Sequence, residues 1–270
     1  MRLINRRPSR RAAVLLGALP FLAVLIAYQV GSDIRLAENP ADKLLPAPST
    51  ILETAERIFT EPDRRSKTVL LWADTAASLE RLAFGVGAAA LISLLFGLAI
   101  GLVPYARAKW NAFVNVLSMV PPLALLPILF IVFGLGEASK IVLIAVGVTP
   151  FMIRDLSQRV LDIPHEQIVK AQTLGATSLV IAIRVALPQL LPRLISAVRL
   201  SLGSAWLFLI AAEAVASDVG LGYRIFLVRR YLAMDVILTY VIWITLLAFL
   251  VDLALKTLSR KAFPWMEAGL

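Results

Sequence analysis

The sequence contains no cysteine and a single histidine among its 270 residues. Without cysteine the chain can form neither disulfide bonds nor thiolate metal sites. Charged residues are also scarce, at 17% against about 25% in an average soluble domain. Hydrophobic residues make up 59% of the chain, and long uncharged runs contain most of them. This composition is typical of a protein that crosses a membrane several times.

Six apolar runs predict six membrane-spanning helices. Four of them, one with the help of its flanks, can span a hydrocarbon core of roughly 30 Å. The other two are shorter and bounded by charged residues, whose side chains can reach the membrane surface or a polar interior. The runs are Ala12–Gly31, Leu82–Ala106, Trp110–Gly136, Ile141–Ile153, Leu200–Ala212 and Val236–Val251. The first run is longer than a signal-peptide core and no clear cleavage site follows it, so we expect an uncleaved first span.

The net charge of +9 predicts an orientation rather than nucleic-acid binding. Lys and Arg cluster beside the apolar runs, as the positive-inside rule requires. We therefore expect both termini and the loop around Glu166 in the cytoplasm. Arginines in Ser217–Asp235 oppose this rule, but a short amphipathic outer helix can hold them at the headgroups. Ser49–Phe59 predicts another amphipathic outer helix, capped by Ser49 or Thr50.

A polar stretch from Glu166 to Ala176 interrupts the apolar pattern. It predicts a helix over Ile163–Leu174, a turn at Gly175 and a second helix that begins at Thr177 or Ser178. Leu187-Pro188 is expected to end the second helix, because proline cannot continue the hydrogen-bond ladder. Two short helices around a glycine favour a surface on which a partner docks. The alternative is an ordinary loop between helices.

This loop and several other motifs resemble one family of membrane proteins, the ABC-importer permeases of the nitrate/sulfonate/taurine branch. The loop is similar to their cytoplasmic coupling (EAA) loop, although Val169-Lys170-Ala171 stands where the family usually has Glu-Ala-Ala. Glu166, one helical turn earlier, is the nearest carboxylate. The other matching motifs are Leu79-Glu-Arg-Leu-Ala-Phe-Gly-Val-Gly87, Met119-Val-Pro-Pro-Leu-Ala-Leu-Leu-Pro127, Phe133-Gly-Leu-Gly-Glu-Ala-Ser-Lys140, Leu200-Ser-Leu-Gly-Ser-Ala-Trp206, Ala212-Glu213, Gly220-Leu-Gly-Tyr223 and Phe263-Pro-Trp265.

The resemblance implies an all-α integral membrane protein with six transmembrane helices in the type I (MetI-like) permease fold, in a bacterial inner membrane. The expected organisation is a cytoplasmic arm (1–11), a first transmembrane helix with a periplasmic segment (12–75), a permease core (76–262) and a C-terminal tail (263–270). The core would contain the coupling loop at 159–190. The residues expected to couple the loop to an ATPase are Glu166, Lys170, Ala171, Gly175, Ala176, Leu187 and Pro188.

The resemblance also implies a division of labour among subunits. This chain would form the pathway for a small polar solute, beside a second copy of itself. Two ATP-binding subunits would bind ATP and magnesium, and a periplasmic binding protein would deliver the solute. The sequence has no Gly-x-x-x-x-Gly-Lys-Ser/Thr phosphate loop, so it is expected to hold no cofactor and to hydrolyse no ATP itself. Lipid is an expected partner and nucleic acid is not.

Pro121 and Pro122 are candidates for the translocation pathway. Each removes a backbone donor inside an apolar run, and the freed carbonyls need water or protein at membrane depth. A kink that serves packing alone is the alternative. Gly97 and Gly101 have the small-x-x-x-small spacing that brings helices together, either within the chain or between two copies.

Glu213 and Trp206 are the other pathway candidates. Glu213 ends an apolar run, where an unpaired carboxylate costs a few kcal/mol, and Trp206 precedes it by two turns on the same face. The alternative is a structural ion pair of Glu213 with Arg199 or a loop arginine. Asp74 and Arg81 flank the start of a span, and the expectation for both is an interfacial position.

Two other function classes fit the sequence less well. A membrane enzyme would need clustered metal ligands or a nucleophile with its base, and the single histidine, His165, lies in a charged loop. An ATP-independent carrier or channel would not need the coupling loop. The branch carries small anions, whereas Leu126–Phe133 and Phe226–Val236 look closer to permeases associated with urea- or guanidine-carboxylase systems. An intramembrane carboxylate, Glu213, would suit a guanidinium cation or a neutral amide better than an anion.

Overall fold

The computed structural model of the protein describes residues 8–40, 42–63 and 67–265, and within these residues all regular structure is helical. Arg2, Arg6 and Arg7, which support the predicted orientation, lie outside the described residues. The α-helices in chain order are α1 Arg10–Glu38, α2 Pro48–Thr60, α3 Leu70–Leu102, α4 Pro104–Leu117, α5 Leu126–Phe133, α6 Glu137–Leu161, α7 His165–Thr173, α8 Ser178–Ile181, α9 Leu187–Val215, α10 Leu221–Val228 and α11 Met234–Ala262.

The chain divides into two compact units. The first comprises residues 1–69 and 227–241 and contains α1 and α2. Tyr28 and Ser32 on α1 donate hydrogen bonds to the carbonyls of Pro46 (2.8 Å) and Leu45 (3.0 Å). These two bonds hold the chain that leads into α2 against α1.

Helix α2 begins differently from the sequence prediction. Neither Ser49 nor Thr50 caps it. Ala47 is the N-cap residue without a side-chain hydrogen bond, and Pro48 occupies the first turn. Proline suits this position because its missing N–H would have no partner within the helix. Thr54 is the buried residue of α2, and its hydroxyl donates to Asp235 Oδ2 at 2.8 Å.

Helices α3, α6 and α9 form the core of the second unit, which comprises residues 70–226 and 242–270. A stripe of small residues at intervals of four lets α3 approach α6 closely. A Cβ added at Gly85 would lie 2.7 Å from Ile144 Cβ, and one added at Gly97 would lie 2.7 Å from Leu156 Cβ. The buried stripe consists of Gly85, Ala89, Ser93, Gly97 and Gly101.

This packing settles one alternative. Gly97 and Gly101 face α6 of the same chain, where an added Cβ would meet Leu156 and Val160. The small-x-x-x-small spacing therefore serves packing within the chain rather than contact between two copies.

The third apolar run is bent rather than straight. Helix α4 and the segment Pro122–Phe133, a 3₁₀ turn followed by α5, meet at an angle of 84°. Pro121 and Pro122 lie at the bend because proline lacks an N–H and disfavours helical geometry in the residue before it. Pro104 likewise ends α3 at Leu102, before the predicted boundary at Ala106.

Five of the described helices are long and apolar enough to cross a membrane: α1, α3, α6, the continuous segment Ser178–Val215, and α11. The bent pair brings the number to six when it is counted as one span. The all-helical, six-span prediction is thus confirmed, with a broken third span.

We predict that Gly97→Ala destabilises the protein. Its Cβ would press on Leu156, and overpacking of a tight core typically lowers the free energy of unfolding by about 1–3 kcal/mol. Gly87→Ala is the matched control, since a Cβ on this exposed glycine of α3 meets nothing within 4 Å. Thermal denaturation in detergent should give a lower midpoint for the first variant alone. Equal midpoints would contradict the proposed α3–α6 packing.

Candidate functional site

One face of α3 carries three polar side chains into the core of the second unit. Asp74, Ser78 and Arg81 are all buried, with Asp74 and Ser78 at 0% exposure. Spacings of four and three residues place them on the same side of the helix. Polar groups in such a place must find partners.

Glu213 on α9 is fully buried and has a partner for each oxygen. Its Oε1 accepts hydrogen bonds from Ser78 Oγ and Arg81 Nη1, both at 2.7 Å. Its Oε2 accepts from the backbone N–H of Gly222 at 2.8 Å. The alternative of a pair between Glu213 and Arg199 is wrong, because Arg199 instead forms a bidentate pair with Asp252, at 2.7 and 2.9 Å.

Arg81 connects two carboxylates. Its Nη1 donates to Glu213 and also to the carbonyl of Val219 at 2.8 Å. Its Nε and Nη2 donate to the two oxygens of Glu137, at the start of α6, with Nη2 2.8 Å from Oε1. Lys140 Nζ lies 3.0 Å from the same Oε1. Arg81 therefore links α3, α6 and α9 at one point.

Asp74 binds the chain that follows α9. Its Oδ2 accepts from Arg224 Nε at 2.8 Å, and its Oδ1 accepts from the backbone N–H of Gly220 at 2.9 Å. Both Asp74 and Arg81 are buried within the protein, and the interfacial depth expected for them stays a prediction. Arg224 pairs with a buried carboxylate.

Among the described residues, the resulting ionic network combines carboxylates with arginine and lysine side chains. Its members are Asp74, Glu137, Glu213, Arg81, Lys140 and Arg224. Opposite charges placed side by side, most of them buried, reduce the cost of placing ions in an apolar interior.

Gly220 closes this network because no larger residue fits. Its φ of +140° lies in a region that side chains disfavour, and an added Cβ would lie 2.6 Å from Glu213 Cδ and 2.7 Å from Arg81 Nη1. At Gly222 the added Cβ would lie 2.7 Å from the carbonyl oxygen of Ile210. The Gly-Leu-Gly turn thus lets backbone N–H groups reach the buried carboxylates.

The other pathway candidates lie elsewhere. Trp206 is buried on the same face of α9 as Glu213, and its Nε1 has no hydrogen-bond partner among the described residues. Pro121 and Pro122 lie in the bend between α4 and α5, with Pro121 exposed. None of these positions tests a pathway role, which stays a prediction for all four residues.

The predicted coupling loop forms a helix–turn–helix. Helix α7 buries none of its residues. Gly175 has a φ of +79°, and the N–H groups of Gly175 and Ala176 donate to the carbonyls of Gln172 (2.9 Å) and Ala171 (3.0 Å). This Schellman arrangement gives the turn a defined shape. Thr177 then caps α8 through Val180 N, at 3.4 Å.

Leu187-Pro188 does not end the second helix, contrary to the prediction. A π-helical turn, Ala182–Ala186, follows α8 and leads directly into α9, with Pro188 in the first turn of α9. The wider turn shifts the hydrogen-bond pattern, so the missing proline N–H falls where a helix start tolerates it. The loop and the long helix that carries Glu213 therefore form one continuous element.

The coupling residues are mostly accessible. Glu166, Lys170, Gly175 and Pro188 are exposed, and Ala171, Ala176 and Leu187 are half-buried. Among the described residues no group of three or more His, Cys, Asp or Glu side chains is placed to hold a metal ion.

The sequence reasoning missed Ser78, Glu137, Lys140 and Arg224 as network members. The spacing of Asp74, Ser78 and Arg81 on one helical face was a usable signal. Nothing local indicated that the start of α6 and the turn after α9 would meet this face.

We predict that Glu213→Gln lowers the free energy of unfolding by about 3–5 kcal/mol, because it leaves part of the Arg81 charge without compensation. The double variant Arg81→Met/Glu213→Gln removes both charges and should be more stable than Glu213→Gln alone. Denaturation midpoints in detergent for the two single variants and the double variant measure this coupling. Purely additive losses would show that the pair is not a unit.

Comparison with known proteins gives concordant matches. The model for the family "Binding-protein-dependent transport system inner membrane component" matches residues 93–264. The taurine transport system permease protein TauC of Escherichia coli (strain K12) is 36% identical over 221 residues, which cover 82% of this chain and 80% of TauC. The bicarbonate transport system permease protein CmpB of Synechococcus elongatus is 29% identical, covering 92% of this chain and 88% of CmpB.

Among solved structures, a chain of the methionine ABC transporter MetNI in an inward-facing conformation superposes with a TM-score of 0.63. It is 25% identical to this chain, and the match covers 71% of this chain and 95% of the MetNI chain. The family model spans more than half of the sequence, and the fold agrees with it. The chain therefore belongs to the family of binding-protein-dependent transport system inner membrane components, as a non-enzymatic permease subunit of an ABC importer.

Proposed function

We propose that this permease carries a small oxyanion across the bacterial inner membrane and that ATP-binding subunits drive it through the loop from α7 to α8. The exposed helix–turn–helix, continuous with α9, is the observation that carries this proposal. Permeases of this family work with a separate ATP-binding subunit and a solute-binding protein. We further propose two copies each of permease and ATP-binding subunit, a periplasmic binding protein, and cytoplasmic termini. ATP and magnesium would bind to the partner subunits.

The apolar side chains of the loop support docking. Leu174 is 80% exposed at the turn, and Leu179 on α8 is 68% exposed. These exposed leucines beside the Gly175 turn form an apolar projection that a groove on a partner can cover.

The connection to α9 supports a mechanical role for this loop. Gln189 on α9 donates to Gln167 on α7 at 3.1 Å and to the carbonyl of Val185 at 2.8 Å. Helix α9 has 29 residues, which correspond to a length of about 44 Å. A displacement of α7 can therefore reach the ionic network at the far end of α9 as a rigid-body movement.

The relatives support an oxyanion as the substrate class. The TauC name specifies taurine, which carries a sulfonate, and the CmpB name specifies bicarbonate. A guanidinium substrate is not favoured, because both oxygens of buried Glu213 already accept hydrogen bonds. Trp206 Nε1 is a buried donor that an oxyanion can use, which supports Trp206 as a pathway residue. Pro121 and Pro122 remain pathway proposals because they bend the third span.

We predict that Gly175→Arg abolishes co-purification of ATPase activity with the tagged chain while membrane insertion persists. An arginine at this position would strain the left-handed backbone, and its side chain would keep a partner from covering the exposed leucines. Gly134→Arg is the matched control: it has a similar φ of +74° and open space around it, and it lies just before α6, whereas Gly175 lies beyond the end of α6. It should retain the ATPase. Retention by both variants would refute docking at this loop.

We also predict ATP-dependent uptake of taurine by the reconstituted importer with its binding protein. Unlabelled methanesulfonate should compete, and guanidinium should not. Uptake that continues without the ATP-binding subunits would support an ATP-independent carrier instead. Competition by guanidinium alone would replace the oxyanion assignment.

A further inference from the structure

We propose that Glu137 is a built-in competitor which occupies an oxyanion site formed by Arg81 and Lys140, and that the transported oxyanion displaces it. This inference rests on the proposed oxyanion substrate and assigns the residues that would bind it. Three observations carry it: the rigid placement of Arg81, the convergence of two buried cations, and the exposure of the one carboxylate between them.

Arg81 is held so that one edge of its guanidinium group faces the exposed carboxylate of Glu137. Glu213 and the carbonyl of Val219 both accept from Nη1 and fix the inner edge. The outer edge, Nε with Nη2, donates to the two oxygens of Glu137. Arginine typically binds carboxylates and other oxyanions through this bidentate geometry, with two parallel N–H···O hydrogen bonds.

Lys140 supplies a second cation to the same place. Its Nζ lies 3.0 Å from Glu137 Oε1, the oxygen that also accepts from Arg81 Nη2 at 2.8 Å. Both cationic side chains are almost inaccessible, at 6% and 4% exposure, whereas the side chain of Glu137 is 59% exposed. The carboxylate thus lies between two buried cations and the surface, and it can leave more easily than they can.

The charge balance explains why an anion would take its place. With Glu137 in position, Arg81 and Lys140 lie beside two carboxylates of the described residues, Glu137 and Glu213. When Glu137 turns away, the two cations face Glu213, and one positive charge stays uncompensated near Arg81 and Lys140. A bound sulfonate or bicarbonate restores neutrality and offers the paired oxygens that Arg81 requires.

Glu137 would therefore set both affinity and release. Because its carboxylate is part of the chain, at the start of α6, Glu137 always competes with the solute for Arg81 and Lys140. This competition helps the solute to dissociate from the site. If it holds the site in about nine of ten molecules, it weakens the apparent affinity about tenfold. Such a competitor suits a transporter, which must not retain its substrate.

The test uses the purified complex of permease and ATP-binding subunits, without binding protein. Its thermal denaturation midpoint is followed by tryptophan fluorescence during titration with methanesulfonate, with dimethyl sulfone as the uncharged analogue. We expect Glu137→Gln to lower the half-saturating methanesulfonate concentration by about tenfold or more, with no response to dimethyl sulfone. Asp252→Asn, which removes a carboxylate from the separate pair with Arg199, should titrate like the wild type.

Two further variants separate the site from a general charge effect. Glu137→Gln/Arg81→Lys keeps the net charge of Glu137→Gln but lacks the guanidinium edge that binds an oxyanion in a bidentate way. It should therefore lose the gain in methanesulfonate affinity. Glu137→Asp keeps the charge on a shorter side chain and should give an intermediate affinity. It also provides a readout if Glu137→Gln folds poorly. An unchanged titration in Glu137→Asp and Glu137→Gln, or an equal gain in Asp252→Asn, would overturn the proposal.

The outcomes distinguish this inference from the proposed function. Wild-type uptake of taurine together with an unchanged titration in the Glu137 variants refutes only the competitor role. The expected gain in affinity without taurine uptake supports the oxyanion site and refutes taurine as the cargo.

Discussion

Charges buried in an apolar protein must be neutralised where they lie, and this constraint organises the second unit of the structure. Arg81 and Glu213 are both buried, and both lie in helices long and apolar enough to span a membrane. Their pairing requires α3 and α9 to face one another at a fixed height. It also requires a Gly-Leu-Gly turn narrow enough to bring backbone N–H groups to the carboxylate. Polar partners, more than general apolar contact, thus specify how these spans align.

The second requirement is close approach. Spans in lipid gain little from hiding apolar surface, so they associate through tight packing and hydrogen bonds. The stripe from Gly85 to Gly101 permits this approach along much of α3. N-terminal to the stripe, the same face of α3 carries Ser78 and Arg81, which belong to the ionic network. One helical face therefore combines small residues for contact with polar residues for alignment.

The proposed coupling follows from the continuity between the loop and the ionic network. A partner that displaces α7 moves α9, and α9 carries Glu213, which holds Arg81. The exposed carboxylate of Glu137 is the part of the network that can exchange for a solute. Helix α9 would thus connect the loop on which the partner docks to the site where the solute replaces Glu137.

The sequence by itself determined the class of this protein. Its apolar runs are long enough to span a membrane and predicted the spans. Gly175 predicted the turn in the loop, and the prolines at 121 and 122 predicted a break in the third span. These are local properties, because proline, glycine and run length act on their own segment. Only the tertiary structure decided that Arg81, rather than Arg199, neutralises Glu213, and that Leu187-Pro188 continues a helix. Charge partners depend on residues more than a hundred positions apart in the chain, whose meeting depends on how α3, α6 and α9 pack.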